Sequence, residues 1–193
     1  MIRDFDWRRL GTFLPVAMAA AFKPRRFFAQ MENRGDIISP LIFLLLVHLT
    51  TWAGTLVAAV VLRGAPAHLI AGQLIENLLR ILIFAAFFYT VGHHVMRCPY
   101  PLSGFLRIFA YGSGIWIVSS LLPFLPLSIS MPLGAALAFY VLFLLFVGLR
   151  AAAGMSVPLA AGVLVLSIVG IMLLMTLLSP AQVVPSSAGG SAP

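Results

Sequence analysis

The chain has 193 residues, of which 62% are hydrophobic and 9% charged, against roughly 45–50% and about 25% in a soluble domain. Its 12 basic and 5 acidic side chains cannot keep that much apolar surface in water, so a soluble globular fold is excluded and the excess must face lipid. The single cysteine, Cys98, excludes an internal disulfide framework, and the net charge of +7 reads as membrane topology rather than as nucleic-acid binding.

The first 36 residues place Arg8-Arg9 ahead of the apolar run Leu10 to Ala21, a pattern shared with export signals. Lys23, Arg25 and Arg26 follow at once, where positive charge opposes export, and Pro15 interrupts the run. The expectation is therefore an amphipathic segment on the cytoplasmic membrane surface, with Phe5, Leu10, Phe13, Leu14 and Ala17 on one helical face and Arg8 and Arg9 near the headgroups. Lys23, Arg25, Arg26 and Arg34 would add attraction to anionic lipid, at about 1 kcal/mol per charge close to the surface.

Five apolar runs follow: Ile37 to Leu62, Leu78 to Met96, Phe105 to Leu125, Leu133 to Leu149 and Val157 to Leu178. All lack the period-2 alternation of barrel strands, and four of the five reach the ~18 residues a helix needs to cross a bilayer, the fourth falling one short. The breaks at Arg63 to Pro66, Arg97 to Pro101, Pro126 to Pro132 and Ala151 to Ser156 carry the Gly or Pro that stops a helix. The fold class expected is all-α, an integral membrane bundle of five transmembrane helices. Residues 179 to 193, uncharged and rich in Ser, Gly and Pro, are expected to be a disordered tail.

Basic residues orient the bundle. With the N-terminus in the cytoplasm, Arg3, Arg8, Arg9, Lys23, Arg25, Arg26, Arg34, Arg97, Arg107 and Arg150 lie inside, and only Arg63 and Arg80 outside. Five spans then leave the C-terminus outside.

Polar groups within the runs are the candidates for chemistry, since each is costly in lipid. His48, in the first run, is read either as a protonation or substrate group or as a neutral imidazole bonded between helices. His94 and Cys98 have an i, i+4 spacing, but two ligands are not a metal site, and Pro99 ends the helix there. Glu76 and Arg80, also four apart, form either a surface ion pair or, with Asn77 and His48, a polar pathway. The chain has no Gly-x-Ser-x-Gly, no phosphate-binding Gly-x-x-x-x-Gly-Lys and no His-Glu-x-x-His, so no enzymatic activity and no cofactor are expected. Gly112, Ser113 and Gly114, and Gly134 with Ala138, read as places of close helix approach.

Several short elements together give a resemblance. Phe22-Lys23-Pro24-Arg25-Arg26-Phe27-Phe28, then Gly35 and Pro40-Leu41, Arg107-Ile108-Phe109-Ala110-Tyr111, Leu121-Leu122-Pro123, Tyr140 and Gly148-Leu149 are similar to elements of the Yip-domain family of multi-pass membrane proteins, the Ypt/Rab-interacting proteins, in its bacterial form. The resemblance, over roughly residues 20 to 178, implies a five-helix bundle with a cytosolic N-terminus and, in eukaryotes, association with Rab GTPases. The chain lacks an Asp-Leu-Tyr-Gly-Pro-like element and has only about 36 residues before the first span, which argues against GTPase binding. Eleven Arg against one Lys, with abundant Ala, points to a GC-rich bacterial genome and hence to an inner membrane.

The expected function is a non-enzymatic interaction or membrane-organising module. Pro24, Arg25, Arg26, Phe27 and Phe28 are expected to dock on anionic lipid headgroups or a membrane-protein partner, which includes a second copy. Arg107 and Tyr111 are expected to hold the cytoplasmic end of the third helix. A small transporter, channel or lipid scramblase lined by His48, Glu76, Asn77 and Arg80 is the alternative.

Overall fold

A computed structural model describes residues 4–31, 35–63 and 67–178. Arg3, Arg34, the Gly64 to Pro66 break and the expected tail at 179–193 lie outside the described residues. Every regular element among the described residues is helical.

Two short helices come first, α1 (Phe13–Phe22) after a 3-10 turn at Leu10–Thr12, and α2 (Pro24–Ala29). Then follow α3 (Ile38–Arg63), α4 (Ala67–Thr90) with a π turn at Val91–Val95, α5 (Leu102–Gly112) continued by a 3-10 segment Ser113–Phe124, α6 (Leu127–Ala151) and α7 (Val157–Leu178). Five of these, with α5 and its 3-10 continuation counted as one, are long and apolar enough to cross a membrane.

The third span is the centre of the bundle. Over its most apolar stretch 56% of residues are buried, against 17–39% in the other four, and its mean hydropathy of 1.5 is the lowest of the five. A helix surrounded by protein can carry Arg107, Ser113 and Ser119 in buried positions, whereas lipid-facing helices cannot. Its largest interface is with α3. There Gly54 makes the contact possible: a Cβ at that position would lie 2.6 Å from the Ser120 carbonyl oxygen and 2.9 Å from its Cα. Gly112 and Gly114 are also contact points, facing Leu145 on α6 and Phe43 with Ala17, respectively.

Helix ends follow local chemistry. Asp36 caps α3: Oδ1 accepts from the Ile38 N–H at 2.9 Å and the Ser39 N–H at 3.4 Å, and Oδ2 accepts from the Ser39 hydroxyl. The Ser39 hydroxyl holds the Asp36 carboxyl below its ordinary range. Past α4, the Cys98 N–H returns to Gly92 O at 3.1 Å, with Arg97 in the left-handed region at φ 52° and Pro99 next. This stops the helix before Cys98, at the place Pro99 marks in the sequence, so His94 and Cys98 are not one turn apart on a helix; His93 Nδ1 lies 3.1 Å from the Cys98 carbonyl oxygen.

Three boundaries differ from expectation. The helix of the second span, α4, starts at Ala67 rather than Leu78, so Glu76, Asn77 and Arg80 lie within it. The fourth span is 25 residues rather than 17, because α6 begins directly after Pro126 and continues through Pro132, its sixth residue, which forgoes the one N–H bond due to the Ser128 carbonyl. The third span does not stay α-helical along its length. From Ser113 on, the hydroxyls of Ser113, Ser119 and Ser120 donate to carbonyls three residues back at 2.6–2.8 Å, a spacing that suits the tighter 3-10 winding through Pro123.

Candidate functional site

Two regions gather the polar and charged groups. The first is built from α1 and α2, which fold back on each other as a hairpin and pack against α5, its 3-10 continuation and α6. α1 has no polar side chain on any face, so the polarity of this segment sits at its ends. Its inner face, Val16, Ala17, Ala20 and Ala21, is buried. Leu10, Leu14, Met18 and Phe22, spaced by four, point outward and are 51–73% exposed. The expected common face of Phe5, Leu10, Phe13, Leu14 and Ala17 is therefore split: Leu10 and Leu14 face out, while Phe5 and Ala17 are buried and Phe13 half-buried.

Arg107 holds the hairpin in place. It is 2% exposed, and its Nη1 donates to Asp4 Oδ2 at 2.7 Å, 103 positions away in sequence. Its Nη2 reaches the Asp36 carbonyl at 3.4 Å, so one guanidinium ties the start of the segment to the start of α3. One turn on, Tyr111 is fully buried beneath an edge-to-face aromatic cluster, with ring centroids 5.0 Å from Phe43 and 5.5 Å from Phe27; Phe5 lies 5.5 Å from Phe43. Phe28 is buried against Gly148 of α6. Of the five residues expected to dock on a surface, Phe27 and Phe28 are thus inside the protein, Pro24 is half-buried, and Arg25 and Arg26 are exposed. Arg8, Arg9 and Lys23 are exposed too, and none of these five cations has a carboxylate partner among the described residues.

The hairpin reaches into the depth of the bundle. The Tyr140 hydroxyl donates to the Ala21 carbonyl at 2.6 Å. Tyr140 lies about 16 Å along α6 from its C-terminal end, whereas Gly148, under Phe28, lies about 4 Å from it. The turn between α1 and α2 is therefore level with the apolar part of α6, not with its end.

The second region lies between α3, α4 and the 3-10 segment. A cavity of about 420 Å³ is lined there by His48, Thr51, Thr55, Asn77, Arg80 and Ser119, with Trp52 and Trp116 as walls. Three of the four residues expected along a polar pathway thus share one cavity. The fourth, Glu76, is outside it and pairs with Arg80 one turn on; both side chains are more than half exposed. Thr51 Oγ1 lies 3.0 Å from the Val47 and Trp116 carbonyls, bridging α3 to the central span. His48 Nε2 is buried without a hydrogen-bond partner among the described residues. Among those residues, no group of three or more His, Cys, Asp or Glu could hold a metal ion.

Sequence reasoning missed Asp4 and Gly54. Gly54 is flanked by Thr51 and Thr55 in an apolar run, a small-residue signal that could have located it. Asp4 gave no such signal, since its partner is 103 residues away. The family model for the Yip1 domain matches residues 18–179. No curated protein and no solved structure matches the chain.

Proposed function

The chain belongs to the Yip1 domain family, a multi-pass membrane architecture, and on that premise we propose that it is a non-enzymatic module that organises one leaflet and presents a docking platform there. The carrying observation is the outward face of the α1–α2 hairpin: four large apolar side chains between two clusters of exposed cations, on a unit keyed into the bundle by Arg107. Such a face suits the boundary between acyl chains and headgroups, with Lys23, Arg25 and Arg26 snorkelling to anionic lipid. Since Phe27 and Phe28 serve the core, docking falls to the cations and to Leu10, Leu14, Met18 and Phe22. The excess of basic residues at this end supports the cytoplasmic leaflet, and the Arg- and Ala-rich composition supports a bacterial inner membrane.

The test uses the full chain in bilayers of mixed phosphatidylglycerol and phosphatidylcholine, with spin-labelled lipids reporting the first shell. Preference for the anionic lipid should fall when Lys23, Arg25 and Arg26 are changed to Gln together. An unchanged preference at low salt refutes the reading.

The convergence of His48, Asn77 and Arg80 on one cavity favours a second reading, passage of a small solute or lipid. It requires flux of ions or labelled lipid through reconstituted vesicles, lost in His48→Phe or Glu76→Gln.

A further inference from the structure

Arg80 stands inside a helix long and apolar enough to span the membrane, and a guanidinium there is costly unless a ligand or cavity offsets it. Glu76 engages one terminal nitrogen of Arg80, and a guanidinium has five donors, so donors remain for a second oxyanion. The chemistry of the adjoining cavity divides by element. On the α4 side Arg80 and the Asn77 amide supply donors. Along the other side Thr51, Thr55 and Ser119 each give their proton to a backbone carbonyl, at 3.0, 3.1 and 2.6 Å, so they turn lone pairs to any further partner. The unpartnered His48 Nε2 adds a polar atom that accepts or donates according to tautomer.

We propose that this cavity binds the phosphoglycerol headgroup of an anionic membrane lipid, the phosphate at Arg80 and Asn77 and the glycerol hydroxyls on the Thr and Ser oxygens. The 420 Å³ volume is of the order of small-ligand sites, about 300–1,000 Å³. A lipid rather than a soluble phosphate is the source because Asn77 and Arg80 are exposed on the flank of a spanning helix, so a headgroup can enter sideways while its chains stay in the bilayer. The site shares no residue with the hairpin and does not depend on the function proposed for it.

Trp52 and Trp116 report occupancy directly. In a Trp7→Phe background they are the only tryptophans of the chain, which has three. Delipidated full-length protein is titrated in neutral detergent with phosphatidylglycerol, phosphatidylcholine, diacylglycerol and free glycerol phosphate, following tryptophan emission and lipid adducts in native mass spectra. Phosphatidylglycerol should bind at least about tenfold tighter than the other three, the scale of one charge-assisted hydrogen bond. Arg80→Gln should remove about that factor, and Arg80→Lys should restore part of it. Thr55→Leu, which removes one hydroxyl acceptor and narrows the cavity while keeping the charge, should also weaken binding and decides the matter if Arg80→Gln does not fold. Equal binding of diacylglycerol or phosphatidylcholine, undiminished binding in Arg80→Gln or Thr55→Leu, or free glycerol phosphate binding as well as the lipid would each overturn the proposal.

Discussion

Cutting the Arg107–Asp4 pair should release the hairpin without unfolding the bundle. Arg107 is 2% exposed and Asp4 15%, so Asp4→Asn leaves a cation with nowhere to rehydrate, whereas Arg107→Met leaves a carboxylate that can reach water. Removing one partner of a buried pair costs about 3–5 kcal/mol, and the partial exposure of Asp4 places this one near 3. The Asn side chain still offers an acceptor oxygen, and Arg107→Met, with only a rehydrated carboxylate left behind, should cost less, about 1–2 kcal/mol. Replacing both, Asp4→Leu with Arg107→Met, removes charge and partner together and should cost less than the sum of the singles by about 1–3 kcal/mol. Amide hydrogen exchange over residues 13–29, in detergent or nanodiscs, reads the opening free energy of this segment alone; 3 kcal/mol corresponds to exchange faster by about a hundredfold. The reasoning fails if the singles and the double are additive, or if exchange in α1 and α2 does not change in Asp4→Asn.

Other consequences are independent of that pair. Gly54→Leu should separate α3 from the central span, since even its Cβ would lie 2.6 Å from the Ser120 carbonyl oxygen; a loss of about 1–3 kcal/mol is expected in reversible unfolding by detergent, and unchanged stability would contradict the contact. The Asp36 cap sets a pH dependence. Its folded-state carboxyl is held below the ordinary value, chiefly by Ser39, so its contribution is complete above the unfolded pKa of about 3.9 and is lost as pH falls through the lower folded value. Wild type should therefore lose more thermal stability than Asp36→Asn between neutral pH and pH 3, and parallel losses would refute the cap. Cys98, 5% exposed, should react with a maleimide only when the loop after α4 opens, so its labelling rate in the native state should be far below that in denaturant; equal rates would contradict its burial.

What the sequence conveys here depends on the range of the interaction. The five spans are legible because each is a continuous apolar run, and a run needs no partner to be recognised. Pro132 misleads because a long apolar helix can pass a proline at the loss of one N–H bond, here the one due to Ser128, so a residue that looks like a stop lies inside α6. Helix phase in the N-terminal segment is harder still. With apolar residues on every face of α1, nothing local says that Leu10 and Leu14 face out while Ala17 and Phe28 face in; that choice is made by Gly114, Gly148 and Tyr140, more than ninety residues on. Arg107 was a candidate from the family resemblance, but its partner Asp4 is one of five acidic residues with no local mark. His48, Asn77 and Arg80 were legible singly, as polar groups in apolar surroundings, and only the packing of α3, α4 and the 3-10 segment brings them to one cavity.

The central claim is that the outer stripe of α1 is immersed in lipid at one end of a Yip-type bundle. A nitroxide placed by Met18→Cys in a Cys98→Ser background, with the full chain in anionic bilayers, measures this by its accessibility to oxygen and to a water-soluble nickel chelate. The account predicts strong relaxation by oxygen and weak relaxation by the chelate, as for a lipid-facing site. Strong relaxation by the chelate would place α1 in water and contradict it.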